Sequence, residues 1–180
     1  MPDNRTSAIE PLDEAVDHVR GPGNRSVIVE YGDYECPFSR QAYLAIKGVE
    51  ARLEGSVRFA FRHFPLTEIH PHALAASRAA EAAARQGRFW EMHDLLFHRQ
   101  RALRDDDLRG YASELGLDPT RFDEDRVGEP VLERVERDVR SGVASGEVLG
   151  TPTLFIDGAL HAGRNDADTL LAVLTGEPRA

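Results

Sequence analysis

Ser26-Val27-Ile28-Val29-Glu30-Tyr31-Gly32-Asp33-Tyr34-Glu35-Cys36-Pro37-Phe38-Ser39 reads as a strand, a turn and the start of a helix. Ser26 to Tyr31 is β-branched and mostly apolar, as in a central strand covered on both faces, and the acidic turn Gly32-Asp33-Tyr34-Glu35 ends it. Pro37 suits the first turn of a helix, where its missing N–H costs nothing. Cys36, the single cysteine of the 180 residues, therefore stands where a strand hands over to a helix. The motif is Cys-x-x-Ser: Ser39 occupies the place a second sulfur would take in a dithiol, so no disulfide can form within the chain.

Outward from this stretch, Ala42, Ala45, Ile46, Val49 and Leu53 recur at three and four residues and give a helix over Gln41 to Leu53 one apolar face, closed by Gly55. Ser56 to Phe64 alternates, with Val57, Phe59 and Phe61 on one side and Arg58, Ala60 and Arg62 on the other, until Pro65 stops the strand. Strand, crossover helix and second strand form a β-α-β unit with a right-handed parallel connection. Residues 1–25 read as a polar, loosely ordered lead with one helical turn around Leu12 to Val16 and a break at Gly21-Pro22-Gly23. From about residue 71 to 146 the pattern is helical throughout, in four segments: His72 to Gln86, Phe89 to Arg99, Asp106 to Leu115 and Pro130 to Ser145, with Asp118 as a cap before Pro119.

Thr153-Leu154-Phe155-Ile156, Asp157-Gly158 and Ala159-Leu160-His161 then give a two-residue hairpin, and Asp166 to Leu174 a last helix with Leu170, Leu171 and Leu174 inward. The fold expected is α/β: a mixed sheet built as β-α-β then β-β-α, with helices on both faces and an inserted helical subdomain. One domain over 26–175 and a short tail at 176–180 accommodate the whole chain.

The charge of -9, from 22 basic and 31 acidic residues, opposes binding to nucleic acid or to an anionic membrane, and neither is expected as a partner. Met1 to Arg20 contains no continuous apolar segment, so the expected location is the cytoplasm, where a lone thiol stays reduced. Oligomeric state is not readable from the sequence.

At the start of its helix, Cys36 meets free backbone N–H groups that favour a thiolate, a dipole contribution of about 0.3–1 kcal/mol. Asp33 and Glu35 oppose it, and Ser39 is placed to reach the sulfur with its hydroxyl. Late in the chain, Gly150-Thr151-Pro152-Thr153 puts a proline at a strand entry; the Thr151-Pro152 bond is open to either isomer, trans being the commoner. His63, His70 and His72 lack a carboxylate or cysteine at metal spacing and are expected at solvent or helix-start positions, and no metal is expected. Arg62 and His63, at the end of the second strand, suit a solvated or core role, and His93 and Asp94 suit packing.

Cys36-Pro37-Phe38-Ser39 after a strand, Phe61-Arg62-His63-Phe64-Pro65-Leu66, Phe89-Trp90-Glu91-Met92-His93-Asp94-Leu95-Leu96-Phe97 and Gly150-Thr151-Pro152-Thr153-Leu154-Phe155 together resemble, in order and spacing, the DsbA family of thioredoxin-like thiol–disulfide oxidoreductases. Pro152 stands 116 positions after Cys36, as an inserted helical subdomain requires. The resemblance implies a thioredoxin-like fold, a nucleophilic Cys36 with Ser39 beside it, a substrate surface from Pro37 and Phe38, and a cis-proline loop at Thr151 and Pro152 that binds extended substrate. The family's usual motif is Cys-x-x-Cys, so the serine implies a monothiol mode: Cys36 attacks, holds a mixed disulfide and is released by an external thiol such as glutathione. The implied partners are protein or glutathione thiols and disulfides, with no cofactor beyond glutathione as co-substrate. Two other readings share the fold: a glutathione-dependent transferase or isomerase with a deep apolar cavity between the helical insertion and Pro152, and a non-catalytic binding module.

Overall fold

The computed structural model describes residues 9–22 and 25–176. In chain order the elements are β1 (His18–Arg20), β2 (Ser26–Gly32), α1 (Pro37–Arg52), β3 (Val57–His63), α2 (Ala73–Ala84), α3 (Phe89–His98), α4 (Asp105–Glu114), α5 (Pro119–Val127), α6 (Glu129–Ser145), β4 (Thr153–Ile156), β5 (Ala159–Leu160) and α7 (Ala167–Thr175). They form one five-stranded sheet in the order β1-β3-β2-β4-β5, with β2 in the middle. Strands β2 and β3 run parallel through α1, while β4 is antiparallel to β2 and to β5. This is the β-α-β then β-β-α arrangement read from the sequence.

The period of two sorts the strands onto two faces. Ile28 of β2, Phe59 and Phe61 of β3 and Leu154 and Ile156 of β4 join Tyr43, Ile46 and Val49 of α1, Phe97 of α3 and Leu170 of α7 in the larger core. Val29, Tyr31, Ala60 and Phe155 point the other way and pack with Ile9, Val148 and Phe64. Of the three leucines expected inward on α7, Leu170 is buried, and Leu171 and Leu174 pack at the core's margin. The β4–β5 turn uses Asp157 and Gly158 at φ 50° and 81°, the left-handed region that a two-residue hairpin demands. Asp157 also ties the hairpin to β2, accepting from Val27 N–H through Oδ1 at 2.8 Å.

Two expectations are corrected. The lead over 1–25 is not loose in its described part: after the turn at Asp13 to Asp17, β1 pairs antiparallel with β3 and edges the sheet. Five helices, not four, fill the insertion; the extra one, α5, starts at the predicted cap, where Asp118 accepts from Arg121 N–H at 2.8 Å. Its sequence is highly polar and shows little apolar periodicity, which hid it. Of the solvated or core role expected for Arg62, the structure takes the core one: Arg62 is fully buried, because Asp17 from the lead meets its guanidinium at 3.0 and 2.9 Å and Tyr31 Oη accepts at 2.9 Å. The tail beyond Gly176, and Gly23 of the expected break, lie outside the described residues.

Candidate active site

Strand β2 delivers the chain to the site and α1 fixes it there. Cys36 is the N-cap residue of α1 with Pro37 in the first turn, as expected. Its carbonyl and that of Tyr34 are both held by the Gln100 carboxamide, at 2.9 and 2.8 Å, which pins the turn to the segment after α3. From the far end of the sequence, the loop entering β4 arrives opposite the sulfur with the Thr151-Pro152 bond cis. Cys36 Sγ–H donates to the Thr151 carbonyl oxygen at 3.3 Å. Thr151 Oγ1 lies buried beside it without a protein partner.

The sulfur is less open than the sequence suggests. Cys36 is only 3% exposed, roofed by the proline loop, while Phe38 in the first turn of α1 is 63% exposed and Leu149, just before the loop, 90%. Apolar side chains thus stand clear on both sides of a recessed thiol.

Ser39 is placed otherwise than expected. It is fully buried, its Oγ accepts from Asp33 N–H at 3.2 Å, and no hydrogen bond joins it to the sulfur. Ser39 therefore braces the turn that carries Cys36. The two acids of that turn are also engaged: Asp33 Oδ2 accepts from Leu66 N–H and lies 2.8 Å from His70 Nδ1, and Glu35 lies 2.9 Å from His72 Nδ1. Each carboxylate is matched with an imidazole from the segment leading into α2. His70 and His72 take the helix-start positions expected of them, whereas His63 is fully buried and makes a core contact with Glu81. His93 is also core, bonded to Tyr34 Oη through Nδ1 at 3.0 Å, and burial, followed by the field of Arg20, keeps it well below the usual imidazole range.

One acid was missed. Glu30, in the middle of β2, is fully buried with neither carboxylate oxygen hydrogen-bonded, and burial pushes it up to about 8, against a smaller opposing pull from Arg20. A lone acid inside the otherwise apolar Val27 to Tyr31 was the available signal. Glu30 is protonated at neutral pH in the folded chain and ionised in the unfolded one. Its contribution is fully present below the unfolded value near 4.5 and is lost as pH rises toward 8, with a slope of at most about 1.4 kcal/mol per pH unit. Glu30→Gln is therefore expected to flatten the decline in stability between pH 5 and 8, as read by urea melts; an unchanged decline would show that Glu30 is ionised in the fold.

Two clefts lie beside the segments that carry the thiol and its opposing loop. One, of about 510 Å³, is lined by Pro37, Arg40, His98, Arg99, Gln100 and Arg101. In it Arg40 Nε donates to Phe97 O, Arg99 pairs with Glu114, and Arg101 makes no ion pair among the described residues. The other, of about 380 Å³, runs along Leu149, Thr151, Pro152 and Leu160. Neither of these, nor the cleft of about 700 Å³ along Phe38, Leu44, Ala45 and Ala167, lies between the helical insertion and Pro152, where a transferase for hydrophobic compounds would need a deep apolar cavity.

A strand-to-helix cysteine facing a cis-proline loop across a mixed sheet with a helical insertion defines a thioredoxin-like protein of the DsbA type. The sequence matches the DSBA-like thioredoxin domain over residues 27–175, and the chain belongs to that family, whose members are thiol–disulfide oxidoreductases. Among solved structures, a thioredoxin-like oxidoreductase from Silicibacter pomeroyi superposes with a TM-score of 0.77 at 26% identity, covering 99% of this chain and 100% of that one. Oxidised BdbD from Bacillus subtilis does so with 0.77 at 21% identity, over 92% and 94%. The chain is also 45% identical to a Na(+)/H(+) antiporter NhaA 1 of Salinispora arenicola over 92% of its length and 25% of that protein. It is equally identical to NhaA of Herminiimonas arsenicoxydans, over 94% and 27%. The chain thus spans about a quarter of the length of these curated relatives. Among the described residues, no helix is long and apolar enough to cross a membrane.

Proposed function

We propose that the protein is a monothiol disulfide-exchange enzyme that works with glutathione. The observation that carries this reading is the lone Cys36 at the start of α1 with its sulfur on the Thr151 carbonyl. In the resting site the thiol proton is engaged by that oxygen. An extended substrate laid along Thr151-Pro152 offers its own N–H to the same carbonyl, so docking takes away the acceptor that holds the thiol and leaves the helix N-terminus to favour thiolate. The thiolate then attacks one sulfur of the substrate disulfide; that S–S bond breaks, its other sulfur leaves as a thiolate that takes up a proton, and a mixed disulfide remains on Cys36. A glutathione thiolate attacks the mixed disulfide and releases Cys36. For a glutathionylated substrate, the net change is one glutathione consumed and one oxidised glutathione formed per substrate thiol released.

The 510 Å³ cleft supports glutathione as the second thiol. Glutathione carries two carboxylates, and the cleft places Arg40 and Arg101 next to Pro37. The exposed Phe38 and Leu149 favour an apolar segment beside the disulfide of a protein substrate. A reducing compartment such as the cytoplasm supplies the thiol this cycle consumes.

Steady-state reduction of a glutathionylated peptide, followed through the oxidised glutathione released, tests both parts. The rate is expected to saturate in glutathione, and Arg101→Glu to raise the glutathione KM about fivefold, the effect of about 1 kcal/mol for an exposed ion pair, with kcat little changed. No turnover refutes the exchange reaction; turnover with an unchanged KM refutes the cleft.

A further inference from the structure

Away from the thiol, three elements bring His18, His63 and Glu81 together on one face of the sheet. His18 lies on β1 opposite Phe61 of β3, His63 ends β3 two residues on, and Glu81 projects from α2 beneath them. His18 Nε2 and His63 Nε2 each lie 2.7 Å from the same oxygen, Glu81 Oε1. The three candidate donor atoms all fall within 4.8 Å of one another. His63 and Glu81 are buried, and His18 is the open side, with 18% of its side chain exposed.

We propose that His18, His63 and Glu81 form a binding site for a divalent transition metal ion of the zinc type, independent of the thiol chemistry. Two imidazoles and one carboxylate are a donor set suited to zinc, with a fourth position left for water on the His18 side. Metal–ligand bonds of about 2.0–2.2 Å in a tetrahedron put donor atoms about 3.4 Å apart. The ion therefore enters by opening the two imidazole–carboxylate contacts by about 0.7 Å, from 2.7 Å, displacing the protons those contacts share. The rings are already held for it: His18 stacks on Phe89 with centroids 3.5 Å apart, and His63 stands edge-on to Phe61 at 5.4 Å. Against the site counts His63 Nδ1, which is buried without an acceptor for the proton a metal-bound imidazole carries there. Metal held here would staple β1, and with it the lead, to β3 and α2.

Titration of the whole chain with Co²⁺, alongside thermal melts with and without Zn²⁺, decides the matter. One equivalent of Co²⁺ is expected to give the visible absorption of a low-symmetry four-coordinate ion without a sulfur charge-transfer band, unchanged in Cys36→Ser, and Zn²⁺ to raise the melting temperature. His18→Gln, at a partly exposed edge position that leaves the His63–Glu81 contact in place, is expected to weaken both responses at least about tenfold in metal concentration. The proposal is overturned if wild type gives neither response, if His18→Gln responds at the same metal concentration as wild type, or if the signal vanishes in Cys36→Ser.

Discussion

Cys36→Ala is expected to abolish thiol–disulfide exchange completely. The chain has no other sulfur nucleophile: its two methionines are thioethers, and Ser39 is buried, holds Asp33 N–H and makes no hydrogen bond to the sulfur. Covalent catalysis through a mixed disulfide has no partial version once the sulfur is gone. Turnover of a glutathionylated peptide should fall to the uncatalysed rate while the fold persists, since a small buried side chain becomes another small side chain at a helix start. Substrate binding without turnover in this variant is also expected, because Phe38, Leu149 and the Thr151-Pro152 loop are untouched. Residual turnover above background would mean that the chemistry does not pass through Cys36.

The second large effect lies far from the thiol. Asp17 and Arg62 are both fully buried as side chains and joined by two hydrogen bonds, with Tyr31 Oη and the carbonyls of Glu10 and Pro11 completing the guanidinium's shell. Removing the acid in Asp17→Ala leaves a buried, uncompensated positive charge and is expected to cost about 3–5 kcal/mol of stability. The same pair sets an acid limit. Burial by itself would raise Asp17, but the hydrogen bonds and charge of Arg62, with the charge of Arg137, hold it below its ordinary value of 3.8. Its stabilisation is therefore full above that value and is lost as pH falls through the lower folded one. Urea melts at pH 7 and pH 3 check both statements: the gap between wild type and Asp17→Ala should narrow in acid. An equal gap at both would place the variant's loss in packing, not charge.

The nucleophile and its opposing loop were legible in the sequence because each is a local pattern. A cysteine before a helix-starting proline, and a proline opening a strand, keep their meaning whatever surrounds them. Glu30 could have been seen as an acid in an apolar strand. Gln100 could not, because its role is to hold two carbonyls more than sixty positions away. The same limit hid β1, whose His18-Val19-Arg20 has no strand character until β3 lies beside it. Ser39 was aimed at the sulfur by helical spacing alone, but the preceding turn exposes Asp33 N–H, and a hydroxyl satisfies that nearer donor. For Arg62 and His63 an alternating strand leaves a solvated and a core role both open; Asp17 and Glu81, from other parts of the chain, decide for the core.

Disulfide exchange here requires Cys36 to accept and release a second sulfur despite its recessed position. Intact-mass measurement after incubation with oxidised glutathione tests this directly. A single glutathionyl adduct on Cys36, removed by reduced glutathione, is the predicted result; a chain that stays unmodified in its folded state and gains the adduct only when unfolded would contradict it.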